Sequence, residues 1–169
     1  HFVCHHHLAR DVGEDLYAQP QTALVKRQRK LKLQARLREQ RRGQNEWFRQ
    51  HADGSAEFVL GRLLAGAPLE VPFDDRLGRE VLLAFHFWIL DYRSDGRRRG
   101  FPFDPYTLFL HRRLIRAGEA VDRLLAGRGA APQALKNFQE LLRQYRSDSQ
   151  IVAAAHAYER SHAMFTRLR

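Results

Sequence analysis

Four consecutive residues near the start, Cys4-His5-His6-His7, form the densest group of metal-ligand types in the chain. Cys4 and His7 have C-x2-H spacing, which can bring a thiolate and an imidazole to one side of a strand-to-helix turn. A closed structural zinc site needs four such ligands, and the rest of the sequence offers no second C-x2-C or H-x3-H pair. His86 and His162 fall on apolar helical faces and His111 beside one, positions that suit core or boundary histidines better than ligands. Cys4 is the only cysteine. No internal disulfide can form, and a reducing cytosolic or nuclear setting fits.

The second chemical feature is charge. The chain has 169 residues and a formal net charge of +10. Nine basic residues lie between positions 26 and 42: Lys26, Arg27, Arg29, Lys30, Lys32, Arg36, Arg38, Arg41 and Arg42, opposed only by Glu39. Like charges at helical spacing repel, and an anion relieves the repulsion. Phosphate contact is the functional reading, and it predicts steeply salt-dependent binding that positions a duplex without reading its sequence. A solvated face, or a helix facing an acidic surface, is the bland reading of the same residues. Arg97, Arg98 and Arg99 form a second cluster on a loop, where solvation explains them equally well.

The elements that must hold these groups are helices. The first residues read as the end of a strand entering a helix from about His7 to Ala18, closed by Pro20 because proline disfavours helical geometry in the residue before it. From Gln21 to about Gln50 runs a polar stretch of good helix formers with a thin apolar line at Leu24, Leu31 and Ala35, which Gly43 can divide. A short helix over 55–64 follows the turn signal Asp53-Gly54. Leu77, Val81, Leu82, Phe85, Trp88, Ile89 and Tyr92 then recur at helical spacing behind a cap at Asp74 or Asp75. Asp104-Pro105 opens the next helix, another follows Pro132, and the last starts near Ser149. Short loops between amphipathic helices predict a compact bundle. The chain has the hydrophobic content for a packed core, and no apolar run approaches the roughly 18 residues of a membrane span.

Residues 4–16, Cys4-His5-His6-His7-Leu8-Ala9-Arg10-Asp11-Val12-Gly13-Glu14-Asp15-Leu16, resemble a segment of mutator-like transposases and their bacterial insertion-sequence relatives. In that family a C-x2-H motif, a leucine, Arg-Asp and a short helix follow the second catalytic aspartate. Phe101-Pro102-Phe103-Asp104, followed by an amphipathic helix with paired arginines and a Leu-Leu end, resembles the helical part inserted before the final catalytic glutamate. The resemblance implies three parts: the end of an RNase H-like α/β catalytic core over 1–20, a long basic helical segment over 21–52, and a helical-bundle insertion domain over 53–169. It also implies a DDE chemistry in which three carboxylates hold two Mg2+ or Mn2+ ions for DNA strand cleavage and transfer in the intact protein. Cys4 and His7 become motif residues beside that active site, whereas the carboxylates themselves fall outside this chain. Both ends read as cut, and the piece is expected to be inactive alone.

The expected partner is therefore DNA at transposon ends, in a cytoplasmic, nucleoid-associated setting, with a homo-oligomer in the intact protein. Two other classes compete. One is a non-enzymatic helical protein that binds DNA or RNA through the basic segment alone. The other is a small metalloprotein centred on Cys4 and His7. Glu159, the tempting late glutamate, has the spacing of a solvent-facing helical residue. Asp11 and Asp15 suit helix-start charge or pairing with Arg10.

Overall fold

The computed structural model describes residues 5–51, 55–67, 73–90, 101–126 and 131–168. Seven helices and no strand occur among them: α1 (His5–Lys30), α2 (Leu33–His51), α3 (Ser55–Leu64), α4 (Asp75–Leu90), α5 (Tyr106–Leu125), α6 (Gln133–Ser147) and α7 (Ser149–Leu168). The strand end anticipated before His5 lies outside the described residues. The fold is a helical one, as the periodicity predicts.

Two compact units divide the chain. The first combines residues 1–31, 93–112 and 147–169; the second combines 32–92 and 113–146. Each is therefore assembled from separated stretches of the chain.

In the first unit α1 and α7 pack side by side. Gly13 lies against Phe165, Tyr17 against His162, Gln21 against Tyr158, and Arg27 against Asp148, so the two helices run antiparallel. The buried stripe of α1 is Gly13, Tyr17, Pro20, Leu24 and Gln28, spaced at three and four residues as a packed helix face requires. Pro20 sits inside α1 and does not close it. A proline in a helix loses one backbone hydrogen bond, but this ring is buried on the same stripe as Tyr17 and Leu24, and packing offsets the loss. Tyr17 anchors an aromatic core, its ring 5.2 Å from Tyr158, 5.4 Å from Phe165 and 5.7 Å from Phe101. The Phe101-Pro102-Phe103 stretch thus serves that core, with Phe103 5.8 Å from Phe165.

The helix breaks at Leu31–Lys32, not at Gly43. The last bond of α1 runs from Leu31 N to Arg27 O, and the first of α2 from Arg36 N to Lys32 O. Between them Lys32 adopts φ 50°, the left-handed geometry common just beyond a helix end. This break resets the helical phase. Instead of Leu31 and Ala35, the chain buries Leu33 and Leu37, and Ala35 is exposed. Gly43 lies inside α2 and is exposed.

In the second unit α2 and α3 both pack on α4, whose Val81, Leu82, Leu83, Phe85 and Ile89 are buried. Asp74 caps α4 by accepting a 2.8 Å bond from Leu77 N. From α5, Arg123 donates to Leu63 O at 2.8 Å, Arg116 to Leu64 O at 3.4 Å, and Arg113 to Trp88 O. Guanidinium groups thereby satisfy carbonyls at the ends of α3 and α4, where helices leave acceptors unpaired and carry partial negative charge.

Candidate nucleic-acid interface

The basic run divides between the two units, and each part has its own geometry. On α1, Lys26, Arg29 and Lys30 are exposed and recur at i, i+3 and i+4 on the face opposite the buried stripe. Gln21, Thr22, Val25, Lys26 and Arg29 line a shallow open hollow along this helix. Arg27 points elsewhere. It makes a two-pronged ion pair with Asp148, donating from Nε at 2.9–3.0 Å and also from its terminal nitrogen. Asp148 in turn accepts from Gln150 N and Ile151 N at 3.0 Å, so one carboxylate caps α7 and holds α1. The Arg27 guanidinium, together with those backbone donors, keeps the Asp148 carboxyl below its ordinary range. Arg27 is thus engaged in joining α1 to α7.

On α2 the buried line of Leu33 and Leu37 leaves two basic flanks. Lys32 and Arg36 occupy one, with Arg36 3.5 Å from the Gln144 side chain. Arg38, Arg41 and Arg42 occupy the other at i, i+3 and i+4. Arg41 lies over the Phe87 ring of α4, 4.1 Å from its centroid. Among the described residues no ion pair holds Lys26, Arg29, Lys30, Lys32, Arg38 or Arg42. The positive charge of these six side chains is therefore unpaired among the described residues. Arg97, Arg98, Arg99 and Cys4 lie outside the described residues; His7 is exposed on α1.

Among the described residues no group of three His, Cys, Asp or Glu is placed to hold a metal ion. Glu159 does not project freely into solvent. Arg112 clamps it with bonds of 2.7 and 2.5 Å, and this contact holds the carboxyl below its ordinary range. Arg10 pairs with Glu14 at 2.7 Å rather than with Asp11 or Asp15. Near the Arg112–Glu159 pair, Tyr17 Oη and His162 Nδ1 are 2.9 Å apart, and burial lowers the His162 pKa. His86 is fully buried, as its apolar face implies. Its Nδ1 lies 2.8 Å from Leu82 O and its Nε2 3.2 Å from Gln40 Oε1, so both ring nitrogens have partners inside the protein.

Sequence reasoning missed the Arg41–Phe87 stack and the Arg112–Glu159 clamp. Both join residues 46 or 47 positions apart, and no local spacing signals such a pairing. No protein-family model matches the chain, and no curated protein or solved structure shows a significant match to it.

Proposed function

We propose that this chain binds nucleic acid through the exposed cationic faces of α1 and α2, as the DNA-contacting helical part of a DDE-class transposase. The observation that carries the binding reading is the set of six exposed Lys and Arg side chains at helical spacing without acidic partners. Such side chains suit phosphates, and their release of condensed counterions drives association. The transposase reading rests on the C-x2-H stretch and the Phe-Pro-Phe-Asp stretch. On this reading the carboxylates that hold Mg2+ belong to other parts of the intact protein, and this chain contributes DNA contact rather than strand cleavage.

Fluorescence anisotropy of the purified chain with a labelled duplex tests the binding. The log of the affinity should fall linearly with the log of salt, by about 0.9 for each phosphate neutralised. Replacing Lys26, Arg29 and Lys30 with alanine should reduce that slope by roughly two to three. Removing the same charge at Arg10, Arg143 and Arg167 should change it little. A flat salt dependence, or equal effects of both triples, would reduce the basic run to a solvated face. Strand transfer by the chain with Mg2+ would contradict the assigned division of labour. The reading frame on either side tests the family: two strand-end aspartates upstream and a glutamate downstream would establish it.

A further inference from the structure

Charge alone explains duplex contact, but the second unit also carries an aromatic group that charge does not require. Phe87 is 36 % exposed, enough to leave ring surface open, while its neighbours Phe85 and His86 are fully buried. Helical geometry places Arg38, Arg41 and Arg42 on one flank of α2, and Arg41 joins that flank to Phe87 through its 4.1 Å stack. The His86–Gln40 contact fixes the same two helices one residue away from each partner of the stack. An exposed ring, a planar guanidinium on it and two further exposed arginines are therefore held in one place by packed helices.

We infer that Phe87 and Arg41 form a stacking point for an unpaired nucleobase, with Arg38 and Arg42 contacting the adjoining phosphates. This rests on the nucleic-acid reading above and names the form of nucleic acid the second unit takes. Single-strand binders combine a cationic track with aromatic rings, because every base has a π face and stacking tolerates any sequence. Arginine planes stack on bases as rings do. A base in an intact duplex already stacks on its neighbours and gains nothing from Phe87. The site consequently favours a strand end, a gap or a splayed nucleotide over continuous duplex.

The full chain is titrated with a fluorescein-labelled DNA strand, an RNA strand of the same sequence, and the corresponding DNA duplex. Phe87→Leu keeps an apolar side chain on α4 and removes the π face. Affinity for one or both single strands should fall roughly tenfold, the scale of one base stack, with duplex affinity within about twofold. The salt slope should stay unchanged, because stacking releases no counterions. Replacing Arg38 and Arg42 with alanine should instead lower the slope. A strand carrying 2-aminopurine should lose fluorescence on binding the unaltered chain and recover it with Phe87→Leu. Equal losses on strand and duplex, or unchanged strand affinity, would overturn the stacking role and leave the cationic faces standing. No binding of any probe by the unaltered chain would overturn both readings.

Discussion

A histidine with no water contact must settle its proton internally. Burial lowers the pKa of His86 from 6.5 to about 4, opposed by the Leu82 carbonyl and aided by the Arg41 charge. The neutral ring donates from Nδ1 to Leu82 O, so Nε2 is an acceptor and the Gln40 amide must turn its NH2 toward it. Between pH 4 and 6.5 the unfolded chain binds a proton that the folded chain refuses, so stability rises with pH across this window and is complete above it. The contribution is on the order of 3 kcal/mol. Burial lowers the pKa of His111 and His162 too, so they add in the same direction. Thermal melting should therefore drop from pH 7 to pH 5, and less steeply in His86→Gln; an identical drop would assign the acid sensitivity elsewhere. Glycines are equally divided by context. A Cβ at Gly13 would lie 2.5 Å from Pro102 Cγ and 2.7 Å from Phe165 Cε2, whereas one at Gly43 meets nothing within 4 Å. Gly13→Ala should cost about 1–3 kcal/mol through overpacking, and Gly43→Ala should gain up to about 1 kcal/mol from helix propensity. Denaturant midpoints moving the same way would refute this contrast.

Among the elements, α7 depends most visibly on one side chain. Asp148 caps its first turn and pairs with Arg27 of α1, so Asp148→Ala removes a cap and an ion pair together. The expected loss is about 2 kcal/mol, and Arg27→Ala should recover little of it because the cap stays broken. Urea midpoints of the single and double variants check this; full recovery in the double would leave the cap without a role. Asp148 also shows where sequence reading stops. Helices α4, α6 and α7 and a cap at Asp74 or Asp75 were legible, because strong apolar periodicity and capping residues are local signals. Pro20 misled, since the general rule against helical proline knows nothing of a partner helix that buries the ring. The Leu31–Lys32 break was invisible because lysine gives no sign of a left-handed turn, and missing it displaced the expected apolar line of α2. For the candidate site, the run of charge was legible, but which of its cations are engaged was not. Only the fold distinguishes Arg27 on Asp148 and Arg41 on Phe87 from exposed neighbours such as Lys26 and Arg42.

At the scale of the whole molecule, the path of the chain matters more than any one contact. The first unit needs stretches from both ends and from the middle, and the second needs what lies between them. Helix α5 serves both, its residues 106–112 belonging to one and 113–125 to the other. A helix is a cooperative object in which each residue added shares one hydrogen-bond ladder. Losing either unit therefore strips the packing from half of α5 and exposes the other half to fraying. Differential scanning calorimetry should record one transition, with the calorimetric and van't Hoff enthalpies equal. Two resolved peaks would show that the shared helix tolerates being half unfolded. Seen as heredity rather than mechanics, the same path sets what recombination can do. A single crossover in the gene can exchange neither unit intact, because neither is encoded by one uninterrupted stretch. The two must be inherited, and altered, as a pair.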